Sequence, residues 1–180
     1  LYKYGIAKPK ILLPQNTKIK TWLVVRADQY IQNKEYRHKI QFPVRQTKNS
    51  KRILMGYFKE NSHDLINIKF CSVQPKIIND LAQFIRDNFE LDCYSEKNNK
   101  GLLKNVLFRI SNDNNAILLT LVLNCSEKEF SNFDNKIFKF FKKITKQFDE
   151  IKGGFVNFNP NKTNKILGNE TLKIFSDEFI

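Results

Sequence analysis

Glycine-rich phosphate loops, paired cysteines and long apolar runs are all missing from this chain of 180 residues. Only six glycines are present, and the one close pair, Gly153-Gly154, lies where a helix is expected to stop. A nucleotide-cofactor site of either common glycine-rich kind is therefore excluded from the piece. The three cysteines, Cys71, Cys93 and Cys125, are odd in number and widely spaced, without a CxxC pair. That excludes a disulfide framework and a self-contained zinc site, and points to a reducing, cytoplasmic setting. The two histidines, His38 and His63, have no His or Cys at ligand spacing, and each reads as a packed or solvated side chain rather than a metal ligand. No apolar run approaches the ~20 residues that a membrane-spanning helix needs. The longest, Ala116 to Leu123, is strand-sized. There is no initiator Met and no charged-then-apolar leader, so the chain is expected to be a piece of something longer.

Acidic residues are also scarce, with 18 Asp and Glu against 31 Lys and Arg, a net charge of +13. Such an excess makes a polyanion the expected partner, because counterion release rewards cations at a phosphate surface. A Lys-rich composition with 21 Asn is also what an AT-rich genome produces, and composition leaves both explanations open. With 41% hydrophobic residues and 16 Phe, the chain has the material for a core, and a mean hydropathy of −0.47 gives it a polar surface.

Residues 1–29 read as an irregular arm without a motif, whose apolar run Trp22-Leu23-Val24-Val25 is expected to enter a strand. From Tyr36 the pattern alternates: Tyr36, His38, Ile40 and Phe42 against Arg37, Lys39 and Gln41. This is a strand, expected to end at Pro43. Ile53–Phe58 and Leu65–Ile68 complete a meander. Pro75, followed by apolar residues from Ile77 to Phe89 at spacings of three and four, predicts an amphipathic helix. Leu103–Ile110 and Ala116–Leu123 flank a turn of Ser, Asn and Asp and predict a hairpin. A second helix is expected from Ser131 to Ile151, with Gly153-Gly154 ending it, and Phe155–Phe158 and Thr171–Phe175 supply two final strands. The order predicts an α+β domain over residues 30–180: an antiparallel or mixed sheet of two strand-strand-helix halves, covered by two amphipathic helices.

No constellation signals catalysis. The positive residues say more. Arg37, Lys39 and Gln41 alternate onto one strand face, with Tyr57, Phe58 and Lys59 on the neighbouring strand. Charge beside stacking groups suits single-stranded or splayed RNA. The lysines at 136, 139, 142, 143 and 146 crowd one helix, where a solvated outer face is the simpler explanation.

Three stretches carry a family resemblance. Tyr36-Arg37-His38-Lys39-Ile40-Gln41-Phe42-Pro43-Val44, the segment from Met55 through Ser62-His63 to Cys71, and the loop Asn157-Phe158-Asn159-Pro160-Asn161 through Thr163-Asn164 to Gly168 occur in the order and spacing of the bacterial RNA uracil-5-methyltransferases. The chain resembles the central domain of that family over residues 30–176. The resemblance implies a substrate-recognition domain of an S-adenosylmethionine-dependent RNA (uracil-5-)-methyltransferase, with 23S rRNA preferred over tRNA as target and a monomer as the expected state. In the family a Cys attacks carbon 6 of the uracil and a carboxylate removes the carbon 5 proton. Both belong to a catalytic domain absent here, which implies no catalytic or cofactor-binding residue in this chain and no activity on its own. Cys71 matches one iron–sulfur ligand position of the cluster-bearing members, whose other ligands have no counterpart here. The resemblance puts RNA contacts on Arg37, Lys39 and Gln41, the last departing from the Arg found in some members, and Tyr57 and Lys59 flank them. The alternative is a non-catalytic RNA-binding module.

Overall fold

A computed structural model describes residues 35–177 apart from 112 and 114. The arm of residues 1–29 and the apolar stretch at Trp22-Val25 lie outside the described residues. The elements run β1 (Lys39–Gln46), β2 (Ile53–Phe58), β3 (Leu65–Asn67), α1 (Lys76–Asn88), β4 (Leu103–Ile110), β5 (Ile117–Leu123), α2 (Glu127–Phe130), α3 (Asp134–Gln147), β6 (Ile151–Phe158) and β7 (Glu170–Ser176). The strands form one mixed sheet in the order β3-β2-β1-β4-β5-β6-β7. Every neighbouring pair is antiparallel except β5 with β6, which the crossover through α2 and α3 makes parallel. The domain is α+β.

The core lies on one face of the sheet. Alternation along β1 sends Ile40, Phe42 and Val44 inward, where they join Phe108 of β4 and Leu119 of β5. The helices close this face with Ile78, Leu81 and Ile85 of α1 and Ile137, Phe141 and Ile144 of α3, spaced to form one apolar stripe on each helix. Edge-to-face rings join the two helices: Phe89 against Phe140 at 5.2 Å, and Phe84 against Phe148 at 5.5 Å.

Three details differ from the sequence reading. The first strand begins at Lys39 rather than Tyr36, which is exposed, and it runs through Pro43 to Gln46. Pro43 is tolerated because pairing changes hands there: Lys39–Pro43 align with β4 and Val44–Gln46 with β2. The second helical region is broken into two. Ser126 caps α2 through a capping box with Glu129, and α3 starts afresh at Asp134. Finally, Gly153-Gly154 lies inside β6 rather than ending a helix, and Ile151 belongs to that strand, aligned with Ile117. A Cβ on Gly154 would fall 2.8 Å from the Phe141 ring, so the missing side chain lets α3 pack down on the sheet. The two strand-strand-helix segments also connect differently. After α1 the chain returns beside β1, antiparallel, whereas after α3 it returns beside β5, parallel.

Candidate nucleic-acid interface

The sheet face away from the helices carries the polar half of the β1 alternation. On β1 it presents Lys39, Gln41, Pro43 and Arg45, aligned with Arg109, Leu107 and Asn105 of β4 for the first three. Lys39 stands directly opposite Arg109, both exposed, and neither makes an ion pair among the described residues. Two like charges in register repel, so this pairing is favourable only where an anion joins it. Gln41 lies between Lys39 and Pro43 on the same face.

Tyr57 and Arg37 are placed elsewhere. Tyr57 has the parity of Met55, and its ring packs on Phe42 of the core at 5.5 Å. Arg37 precedes β1, and its Nη1 donates to the Tyr57 hydroxyl at 3.1 Å. The two satisfy each other at the edge of the core, so Arg37 does not share the face of Lys39 and Gln41, and Tyr57 is no free stacking platform. Phe58, one residue on, faces the open side and is 40% exposed. Lys59 is exposed just beyond β2, its backbone N–H donating to the Asp64 carbonyl at 2.9 Å.

The open face ends in a cleft of about 540 Å³. Phe58 and His63 form one wall, their rings 5.8 Å apart, and the Arg45 guanidinium lies 5.2 Å from the Phe58 ring centroid. Glu96 holds both side chains: Arg45 Nη2 bonds one carboxylate oxygen, and His63 Nδ1 lies 3.2 Å from the other. The opposite wall is the loop after β6, with Lys162 and Lys165 exposed.

Three buried polar side chains hold that loop in place. Asn157, 1% exposed, donates through Nδ2 to Gly168 O at 3.1 Å, Glu170 O at 3.0 Å and Thr171 Oγ1 at 2.9 Å, and accepts from Gly168 N–H at 2.8 Å. Asn159 donates to the carbonyls of Lys165 and Ile166 at 2.9 and 3.1 Å. Lys104 of β4, 7% exposed, donates from Nζ to the carbonyls of Asn159 and Asn161, each at 2.8 Å, over the Tyr94 ring. Burial lowers the Lys104 pKa, and Glu96 opposes that shift. Gly168 is needed for close approach, since a Cβ there would fall 1.8 Å from Phe158 O.

Sequence reasoning missed Arg45, Lys104, Arg109, Lys162 and Lys165. Arg45 was two steps along the alternation from Pro43 and would have followed from a strand carried past the proline. Lys104 carried no signal, because what recruits it is a loop 55 residues away.

The thiols that this chain itself offers a cluster are Cys71, Cys93 and Cys125. Cys71 is part-exposed in the turn before α1, with its N–H donating to Asn79 Oδ1 at 3.0 Å. Cys93 and Cys125 are buried, which pushes their thiols up to about 12 and about 11, the reverse of what thiolate ligands need. By themselves these three cysteines do not make the set of about four thiolates that a cluster takes. Among the described residues no three His, Cys, Asp or Glu side chains gather at metal-binding distance, and no helix is long and apolar enough to cross a membrane.

The three stretches of the sequence resemblance thus meet at this face: β1, the Phe58–His63 segment, and the loop at residues 159–168. No family model matches. Curated relatives include RNA methyltransferases, functionally uncharacterized, of Fusobacterium nucleatum (32% identical, covering 81% of this chain and 30% of the relative) and Streptococcus mutans (34% identical, 81% and 31%). A tRNA (uracil-54, C5)-methyltransferase of Pyrococcus abyssi, solved with S-adenosyl-L-homocysteine, shares the fold at a TM-score of 0.50, 16% identical, over 81% of this chain and 32% of that one. The chain is thus similar, over most of its own length, to one part of RNA methyltransferases, and it shares a fold with part of a tRNA methyltransferase. It spans about 30% of the length of those curated methyltransferases.

Proposed function

We propose that this chain is the RNA-recognition domain of an S-adenosylmethionine-dependent RNA uracil-5-methyltransferase acting in the cytoplasm on 23S rRNA. Residues 30–180 make up that domain in this reading. The observation that carries it is the convergence of three distant stretches on one face. That face combines exposed cations that make no ion pair among the described residues (Lys39, Arg109, Lys162, Lys165) with an exposed ring, Phe58, at a cleft wide enough for a nucleotide. Cations hold phosphates and set register, while an aromatic face in a cleft takes a splayed base. Gln41 adds a hydrogen-bonding group between them, and Lys59 extends the positive edge along β2. Methyl transfer and the S-adenosylmethionine site belong, in this reading, to the part of the relatives that this chain does not span. The preference for 23S rRNA rests on the family resemblance.

The test is RNA binding by the chain itself, measured by fluorescence anisotropy at several salt concentrations. Replacing Lys39 and Arg109 together by Ala should weaken binding and reduce the slope of log K against log salt by about 1.4 to 1.8 for two lost phosphate contacts. Melting should stay within about 1 kcal/mol of wild type, since both side chains are exposed. Unchanged affinity and slope would remove this face as the RNA surface.

A further inference from the structure

On the opposite side of the domain, the helix layer carries a second concentration of positive charge. Lys136, Lys139, Lys142, Lys143 and Lys146 of α3 all line one groove of about 310 Å³, closed on its far side by Asn88–Leu91 at the end of α1. Its floor is apolar, from Phe89, Leu91 and Phe140. All five lysines are exposed, and none makes an ion pair among the described residues. One carboxylate, Glu90, shares the groove with them.

The spacing works against the helix unless an anion is present. Positions 139 and 143, and 142 and 146, are four apart, while 136 and 139, 139 and 142, and 143 and 146 are three apart. Like charges at these separations repel on a helix surface. A solvated outer face needs no such concentration, since mixed charges serve it better, and α3 places its one acid, Asp134, in the first turn, away from the groove. Over ten residues the lysines span about 15 Å, roughly one or two ammonium groups per turn, along a groove whose walls lower the local dielectric.

We infer that this groove is a second phosphate track, which binds the sugar–phosphate backbone of the same RNA that the sheet face reads. The inference rests on the RNA-recognition reading of the sheet face. The groove has no exposed ring at its floor and no converging amide groups, so it holds backbone and adds affinity without sequence preference. Because it lies on the helix side and the cleft on the open sheet side, the RNA that engages both is a folded one reaching around the domain, in keeping with a structured RNA substrate rather than a short strand.

The experiment uses the whole chain and a uridine-bearing RNA stem-loop long enough to reach both sides. Two variants are compared: Lys139→Ala/Lys142→Ala/Lys146→Ala in the groove and Lys39→Ala/Arg109→Ala on the sheet face. The groove variant is expected to lose affinity and to lower the salt slope by about 2 to 3, with melting unchanged, and the same three positions changed to Arg should retain the slope. If the groove variant binds as wild type while the sheet-face variant weakens, the second track is refuted and the RNA reading of the sheet stands. A groove variant that melts lower at unchanged slope also refutes it, because the lysines then serve the carbonyl end of α1. If neither variant changes binding, the RNA reading itself fails and the track fails with it.

Discussion

Replacing Asn157 by Ala removes the fastening of the cleft loop without touching any cation. The side chain is almost fully buried, donates to Gly168 O, Glu170 O and Thr171 Oγ1, and accepts from Gly168 N–H. Two amide hydrogens are thus shared among three acceptors, and one backbone donor depends on Oδ1. Removal forfeits hydrogen bonds worth about 0.5–1.5 kcal/mol each and leaves the Gly168 N–H, pressed against the chain at Phe158, without a partner. Solvent reaches part of this site, so the sum is discounted to about 3 kcal/mol. For a domain of this size that is a fall in Tm of about 6–12 °C, read by circular dichroism, with urea unfolding as the check. Hydrogen exchange should quicken over residues 159–170, and RNA affinity should fall because Lys162 and Lys165 lose their fixed positions. A loss below about 1 kcal/mol would refute the account.

Asn157→Asp sharpens the same test. A carboxylate keeps the acceptor for Gly168 N–H but faces three oxygens it cannot donate to, so at neutral pH this variant should be at least as unstable as the Ala variant. Its folded-state pKa must lie above the unfolded value of about 3.9, because burial and carbonyl oxygens disfavour the charge. The charge-related deficit is therefore complete above the raised pKa, shrinks as pH falls through it, and is gone below about 3.9. An isosteric substitution that proved harmless would mean the amide donors contribute nothing.

Two further outcomes follow from the site. Glu96→Gln should release Arg45 and His63 from their shared carboxylate at a stability cost within about 1 kcal/mol, given the partial exposure of the pair, and should tighten RNA binding with a steeper salt slope; weaker binding would show Arg45 to be held ready by Glu96 rather than masked by it. In the native protein iodoacetamide should modify Cys71 alone, because Cys93 and Cys125 are buried and their thiols raised to about 12 and about 11; mass spectrometry finding either of those two labelled without denaturant contradicts their placement.

Local chemistry made several elements legible. The apolar spacing after Pro75 marked α1 to within a residue or two, and the two strand runs on either side of Ser111–Asn115 became β4 and β5. What escaped was set by distant partners. Nothing local tells that β1 survives Pro43, since the tolerance comes from β4 and β2 exchanging the pairing there. The helical period of α3 continues in sequence through Phe148 to Ile151, but Ile151 is taken into the sheet by Ile117, across a parallel ladder that only the tertiary fold supplies. The site shows the same division. Lys39 and Gln41 follow from period two alone, whereas assigning Tyr57 beside Phe58 to the same face ignores that neighbouring residues of a strand point apart. Tyr57 went to the core, and Arg37 followed its hydroxyl.

The net charge of +13 overstates how much of the surface is free to hold RNA, and the structure shows by how much. Around the cleft, Arg45 is bound to Glu96, Lys104 is consumed by two loop carbonyls, and Arg37 is occupied by Tyr57. Lys104 is thereby a positioning residue: it fixes the loop that carries Lys162 and Lys165, and its own ammonium is withdrawn from solvent. Along β1, β4 and the cleft loop, four exposed cations make no ion pair among the described residues: Lys39, Arg109, Lys162 and Lys165. If all four meet phosphates, the salt slope of the wild-type chain is about 3 to 4, and engagement of the five groove lysines raises it to about 6 to 8. The unmodified protein therefore already separates one-sided from two-sided binding. A slope near zero at measurable affinity would assign the binding to bases and rings instead, since stacking on Phe58 releases no counterions.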